Sequence, residues 1–137
     1  MNFICSFFLL AGRICLSAIF FLAAFHKLMD YDGTVQFMAS KNMQAIPFFL
    51  FTAVAVELLG GFSLVFGYKT RFGAILLLLF LIPATSIFHD FWNIEDAKEM
   101  QLQTIHFFSN LGIFGGLLYV LCCGPGKWSI DGKGCCE

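Results

Sequence analysis

Four long apolar runs dominate this sequence of 137 residues. A helix needs about 20 predominantly apolar residues to cross a hydrocarbon core of about 30 Å. The sequence predicts such spans at about residues 3–25, 47–67, 72–88 and 105–123. One run of this kind occurs in soluble proteins, but four leave too little polar sequence to cover a soluble core. The predicted fold is therefore all-α, an integral membrane four-helix bundle.

Composition supports a lipid bilayer as the main partner of the chain. Hydrophobic residues make up 59% of the sequence and charged residues only 12%. The eight Lys and Arg are scattered and the net charge is -1, so no basic patch follows a phosphate backbone and nucleic acid is excluded as a partner. No Lys or Arg precedes Phe3 and no small-x-small cleavage site follows, so we expect the first run to be a span rather than a signal peptide.

The charges of the loops predict how the chain is oriented. Four spans place both termini and the turn 68–71 on one side of the membrane, and residues 124–137 form a tail on that side. The cations of the terminal side are Lys69, Arg71, Lys127 and Lys133, and those of the other side are Lys27, Lys41 and Lys98. The excess of Lys and Arg predicts that both termini are cytoplasmic.

The fourth helix is predicted to be long. Asn93 can cap it, two acids follow in its first turn, and Gly124 before a proline supplies its end. A helix over Ile94–Cys123 extends about 45 Å, so its first turns are expected to stand out of the membrane. The first loop, 30–46, has no such periodic pattern and is interpreted as a partly apolar segment at the membrane interface.

Arg13 and Glu57 are the two charged residues inside the spans. Each costs about 2.5 to 3.5 kcal/mol at mid-membrane, so both should face protein. Each lies ten residues into its span. In antiparallel neighbours this spacing predicts a similar depth, where the two charges would pair. The pair either fixes only the helix register or also lines a site.

Three histidines are predicted at the end of the bundle away from the termini. His26 ends the first span, His89 ends the third beside Asp90, and His106 opens the fourth. A single His near a membrane boundary is usually an amphipathic side chain, but three at one level suggest a convergent site. No Cys and His spacing typical of a closed zinc site is present, and no metal is expected.

Polar residues on the third and fourth spans extend this predicted site into the membrane. One face of the fourth helix carries Glu99, Gln103, His106 and Asn110. On the third span, Ser86 lies four residues before Asp90, and Pro83 removes a backbone hydrogen bond nearby. We expect a polar funnel with Arg13 and Glu57 at its floor. The alternative is a hydrated vestibule without a specific ligand.

Small residues and cysteines carry further expectations. Gly112 and Gly116 are spaced for close packing with a neighbouring helix. No CxxC occurs, and structural disulfides are not expected in a reducing cytoplasm. The vicinal pairs Cys122–Cys123 and Cys135–Cys136 leave thiol or soft-metal chemistry open. A doubling of Phe-His and Gly-Gly pairs suggests a 2+2 hairpin pseudo-repeat.

Several short motifs together resemble the DoxX family of small four-span membrane proteins. The motifs, in order, are the early Arg13, His26-Lys27-Leu28 with Asp30, Ile46-Pro47, Glu57-Leu58-Leu59-Gly60-Gly61, Gly67, His89-Asp90-Phe91-Trp92, Asn110-Leu111, Gly115-Gly116-Leu117-Leu118, Gly124-Pro125-Gly126 and Ser129-Ile130-Asp131. The resemblance implies a bacterial-type inner-membrane protein. Some relatives look like subunits of quinone-linked sulfur oxidation or partners of redox-defence enzymes.

Two functions of different classes follow from these residues. In the first, the chain is a redox component in which Arg13 holds a quinone carbonyl while Glu57, or His89 with Asp90, relays protons. Electrons would come from a soluble or membrane partner, and whether the chain is itself an enzyme is left open. The alternative is a non-enzymatic scaffold subunit, including a homo-oligomer, or a small-solute permease. The candidate ligand-binding residues are Arg13, Glu57, Ser86, His89, Asp90, Gln103, His106 and Asn110.

Overall fold

A computed structural model describes residues 3–132 of the chain. In this range the helices are α1 Phe3–Met29, α2 Tyr31–Ser40, α3 Ile46–Phe66, α4 Thr70–Phe88 and α5 Ala97–Cys123, with one 3-10 turn at Phe91–Asn93. The four long helices α1, α3, α4 and α5 are apolar and long enough to cross a membrane. The described residues contain no strand, and the predicted all-α membrane bundle is confirmed.

The long helices pack in chain order, α1 with α3, α3 with α4 and α4 with α5, whereas α5 contacts α1 over only a short stretch. Two apolar clusters form the core. The cluster nearer the termini contains Phe20, Leu64, Leu77, Leu78, Leu81 and Leu117. The cluster at the other end contains Ala24, Met38, Leu50 and Val54. Because α5 contributes only to the first cluster, the half of α5 that begins at Ala97 contacts little beyond α4 and the preceding 3-10 turn.

Glycines mark the closest helix contacts. A Cβ on Gly60 would collide with Leu77 of α4, and one on Gly116 would press on Leu16 of α1. The predicted neighbour of the Gly112 and Gly116 pair is therefore present only at Gly116. No atom of the chain lies near the position a Cβ would take on Gly112 or Gly115. The prediction was wrong for Gly112 because α1 contacts α5 over only a short stretch, which includes Gly116 but not Gly112 one turn away.

The first loop contains a helix that the sequence reading missed. Asp30 caps α2 by accepting a hydrogen bond from the backbone N–H of Gly33 at 3.2 Å. Met38 is buried in the second apolar cluster, and Phe37 stacks on Phe88 of α4 with ring centroids 5.5 Å apart. The helix therefore covers the end of the bundle away from the termini.

The start of α5 also differs from the prediction. Asp96, not Asn93, is the cap, and its carboxylate accepts from the backbone N–H groups of Lys98 at 3.1 Å and Glu99 at 2.9 Å. The backbone at Ile94 is extended and interrupts the helix, so Asn93 instead donates to Asp90 at 3.1 Å. The 27 residues of α5 span about 40 Å rather than 45 Å.

Residues 124–132, here called the C-terminal strap, return to the bundle. The backbone N–H of Ile130 donates to Phe66 at 3.1 Å and that of Asp131 donates to Gly67 at 2.8 Å. The predicted tail is thus packed against the end of α3 over this range, while Lys133 and the Cys135–Cys136 pair lie outside the described residues. None of the cysteines among residues 3–132 forms a disulfide bond.

Candidate functional site

Arg13 and Glu57 do not meet, so their predicted pairing is wrong. Arg13 Nη1 donates to the carbonyl of Leu64 at 3.1 Å, whereas Glu57 Oε1 accepts from Lys27 Nζ at 2.7 Å. Glu57 therefore lies opposite Lys27, which is about 21 Å further along α1 than Arg13. The depth argument assumed spans of equal length, but α1 has 27 residues and α3 has 21. The first turns of α1 extend past the end of α3, which moves Arg13 toward the terminal side.

Arg13 holds the terminal end of the bundle together. Its side chain is 2% exposed, and Nη2 donates to the carbonyl of Trp128 in the strap. Gly67 has a φ of 66°, in the left-handed region, and a Cβ there would collide with Arg13 and Ser129. Arg13 therefore joins α1, the end of α3 and the strap, and it lies at the opposite end from the histidines.

Asp131 fastens the strap to α4. Its carboxylate accepts hydrogen bonds from the backbone N–H groups of Lys69 and Thr70, both at 2.9 Å, and from the Thr70 hydroxyl at 3.1 Å. These are the unpaired amides of the first turn of α4, where a negative charge is favourable. Burial alone would raise the pKa of Asp131, but the Thr70 and Lys69 hydrogen bonds and the charge of Arg13 outweigh it and hold the pKa below its ordinary value.

A polar cluster forms at the other end of the bundle, between α4 and α5. His89 Nδ1 lies 2.8 Å from Gln103 Oε1, and the rings of His89 and His106 are 5.4 Å apart. We call His89, Gln103 and His106 the histidine cluster. Deeper in the membrane, Asn110 Nδ2 donates to Thr85 Oγ1 at 3.0 Å. The predicted polar face of α5 therefore meets α4 directly.

The other predicted site residues lie apart from the histidine cluster. His26 is at the same end, but its side chain is exposed on α1. Asp90 is bound by Lys41 Nζ at 2.5 Å and by Asn93, and the Ser86 hydroxyl donates to the carbonyl of Ile82 at 3.0 Å. The predicted convergence of three histidines is wrong for His26. It lies at the same depth as the other two, but on a face of α1 that points away from them. Across residues 3–132, no three His, Cys, Asp or Glu side chains come together as metal ligands.

An open cleft of about 190 Å³ lies beside the Asn110–Thr85 contact, between α4 and α5. Its lining is mainly apolar and comprises Leu81, Ile82, Thr85, Ser86, Phe107, Asn110, Leu111 and Phe114. Thr85 precedes His89 by four residues and Asn110 follows His106 by four, so the histidine cluster lies about one helical turn from the cleft. The sequence reading missed Thr85 and Phe107. The i, i+4 spacing of Thr85 and His89 could have indicated Thr85.

The cleft and the histidine cluster together supply two chemical abilities. Asn110 keeps a second N–H and Thr85 keeps its hydroxyl proton, so each can donate to an oxygen of a ligand in the cleft. Gln103 Oε1 accepts from His89 Nδ1, which leaves Nε2 of that imidazole available to take or give a proton. The site can bind a small, largely apolar molecule that carries oxygen acceptors, with a proton-exchanging group one turn away.

Four spanning helices with a mainly apolar cleft between two of them define a small integral membrane protein. The chain belongs to the DoxX family, whose family model matches residues 8–90. Inner membrane protein YphA of Escherichia coli (strain K12) is 34% identical over 124 residues, which cover 90% of this chain and 87% of that protein. Inner membrane protein YqjF of the same organism is 31% identical and covers 89% of this chain and 88% of its own length.

A more distant similarity reaches a eukaryotic protein. The Surfeit locus protein 4 homolog of Schizosaccharomyces pombe (strain 972 / ATCC 24843) is 40% identical over 70 residues, which cover 50% of this chain and 23% of that protein. No solved structure matches the chain. The predicted family is confirmed by the family model and by relatives that cover most of the chain.

Proposed function

We propose that this protein is a quinone-linked component of the inner membrane that binds a quinone or quinol headgroup in the cleft between α4 and α5. The observation that carries the proposal is the juxtaposition of an apolar cleft with the histidine cluster. A quinone ring is flat and apolar and bears two oxygen acceptors, which suits walls such as Phe107 and Leu111 and donors such as Asn110 and Thr85. Exposed Ile82 and Leu111 at the cleft give a lipid-soluble molecule a route from the bilayer.

Reduction of a quinone takes up protons together with electrons, so a proton donor must lie near the ring oxygens. His89 is suited to this role because its Nε2 is free and its ring contacts that of His106. Asp90 is engaged by Lys41 and serves the histidine less directly than predicted. Arg13, at the opposite end of the bundle, has no part in the proposed site, and neither has Glu57, which is paired with Lys27 on α1. Electrons come from a partner protein in this scheme.

The test uses the full chain in lipid nanodiscs and a water-soluble short-chain quinone. We expect the quinone to raise the melting temperature of the wild type. The Asn110→Leu variant should bind the quinone at least about tenfold more weakly. Ser109→Ala is the matched control, since its hydroxyl is bonded to Ile105 of its own helix and does not line the cleft. Equal shifts in wild type and Asn110→Leu would mean that quinone dissolves in the lipid without using the cleft.

A membrane scaffold subunit is the second candidate, and the isolation of α5 favours it. Leu117 alone among the residues of α5 is fully buried, and Gly112 faces open space. A glycine on an exposed helix face permits close approach of a partner helix or of a second copy of this chain. Gly112→Leu should then break a complex that survives Gly12→Leu, a matched change at an equally open position on α1. Survival of the complex in both variants would count against this face.

A further inference from the structure

The Lys27–Glu57 ion pair lies between α1 and α3 and is not used by the proposed quinone site. Glu57 is 3% exposed, and its Oε1 accepts from Lys27 Nζ at 2.7 Å. Its second oxygen, Oε2, is buried without a hydrogen-bond partner. A buried carboxylate oxygen with no donor is costly, because nothing replaces the water that it lost on folding. The arrangement therefore leaves one oxygen of the carboxylate at which a proton would be stabilising.

The Lys27 side chain can reach water from the ion pair, whereas the Glu57 side chain is enclosed by protein. The Lys27 side chain is 24% exposed, and besides Glu57 its ammonium contacts only the carbonyl of Ala23, at 3.4 Å. Lys27 lies two residues before the end of α1, where a long side chain can extend its charge toward water. Separating the pair while Glu57 is still ionised would leave a buried charge without a partner, which is strongly unfavourable, so Lys27 can leave only when Glu57 is neutral.

We propose that Glu57 is a proton-binding site inside the membrane and that its protonation releases Lys27 to the aqueous end of the bundle. A hydronium ion of the aqueous phase gives one proton to Oε2, so an O–H bond forms on Glu57 as one O–H bond of hydronium breaks to leave water, and Lys27 stays an ammonium. The attraction between the charges is then lost. Neutral Glu57 remains among apolar neighbours, while Lys27 becomes hydrated. The inference is independent of quinone binding and adds a proton-linked change of state to the α1–α3 half of the bundle.

Lys27 is the charged group that acts on Glu57. Helices α1, α2 and α4 pack against α3, and their other titratable groups in the described range lie elsewhere. Arg13 and Arg71 are at the terminal end. The remaining titratable side chains of α1 and α2 and of the turn between them are exposed, and they are Cys5, Cys15, His26, Asp30, Tyr31 and Asp32. Lys41, between α2 and α3, is bound to Asp90. A change in the reactivity of Lys27 with pH therefore reports the protonation of Glu57.

The test measures how fast a water-soluble amine reagent labels Lys27 in the full chain in nanodiscs, read by peptide mass spectrometry. The rate is divided by that of Lys98, an exposed lysine that cancels the ordinary effect of pH on amines. In the wild type we expect this ratio to rise about tenfold from mildly alkaline to mildly acidic pH. A ratio independent of pH in the wild type would overturn the proposal without any variant.

Two variants identify the responsible group. Glu57→Gln mimics the protonated acid, and we expect a high ratio at every pH. Glu57→Asp keeps an acid at the position and is expected to keep the pH dependence, so it serves as the matched control if the glutamine variant folds poorly. A ratio that still varies with pH in folded Glu57→Gln would also overturn the proposal, because another group would then control Lys27.

Discussion

The guanidinium of Arg13 donates a hydrogen bond to the main-chain carbonyl of Trp128, 115 residues later in the chain. The same side chain donates to Leu64 at the end of α3. A buried cation thus links the first helix, the second spanning helix and the C-terminal strap. The cation needs no acid in the membrane, because main-chain carbonyls take the role that sequence reasoning gave to Glu57.

Loss of the Arg13 side chain should unfasten the strap. Arg13→Met leaves the carbonyls of Leu64 and Trp128 without a donor, and each unpaired buried group costs about 1 to 3 kcal/mol. We expect the free energy of unfolding to fall by about 2 to 5 kcal/mol in mixed-micelle denaturation. Lys127→Met, an exposed cation of the strap, is the control and should change stability by less than about 0.5 kcal/mol. Equal effects of the two changes would show that Arg13 does not hold the strap.

Acid should destabilise the strap through Asp131. Because its folded-state pKa lies below the ordinary value, the folded protein binds fewer protons than the unfolded chain at this group. The stabilisation is complete above the ordinary Asp pKa of about 3.9 and is lost as pH falls through the lower folded-state pKa. Melting temperatures across this range should fall less steeply in Asp131→Asn than in the wild type. Asp32→Asn, at an exposed acid of α2, should keep the wild-type slope.

A double-mutant cycle should separate the true partner of Glu57 from the predicted one. Glu57→Leu leaves Lys27 next to a buried apolar site, and adding Lys27→Met removes the remaining charge. We expect a coupling energy of about 1 to 3 kcal/mol for Lys27 with Glu57 in equilibrium unfolding. Arg13→Met and Glu57→Leu should instead be additive within about 0.5 kcal/mol, because the two side chains share no partner. Strong coupling of Arg13 with Glu57 would contradict the register of α1 and α3.

Two glycines should respond in opposite ways to the same substitution. Gly60→Ala places a methyl group against the fully buried Leu77, and we expect it to cost about 1 to 3 kcal/mol of unfolding free energy. Gly112→Ala meets no atom of this chain and should be neutral or stabilising by up to about 1 kcal/mol. A large loss of stability from Gly112→Ala in the isolated protein would mean that a second copy packs there.

The spans could be predicted because the bilayer imposes them. A run such as 47–67 must be apolar along its length whatever its neighbours are, so hydropathy alone located α3. Helix α2 was missed because only Met38 of its ten residues is buried, which leaves almost no periodic pattern. The start of α5 was misplaced because Asn93 and Asp96 are both good caps, and the extended backbone at Ile94 decided between them.

The candidate site was predictable only in part. The i, i+3, i+7 spacing of Gln103, His106 and Asn110 indicated that this face of α5 meets protein rather than lipid, since a polar face in a membrane must do so, and the protein that it meets is α4. The partners of Arg13 could not be predicted, because a main-chain carbonyl such as that of Trp128 leaves no mark in the sequence. The register between two helices depends on where each helix begins and ends. The apolar runs of the sequence do not locate these ends to within one helical turn.

The way the strap folds back has a practical consequence for mapping which side of the membrane the termini occupy. A reporter enzyme fused directly after Cys123 would replace the strap and remove the hydrogen-bond acceptors of Arg13, Lys69 and Thr70. Such a fusion would report on a molecule whose end is frayed, and its activity could reflect misinsertion. Reporters joined after Asp131 leave these contacts whole and give the more trustworthy orientation.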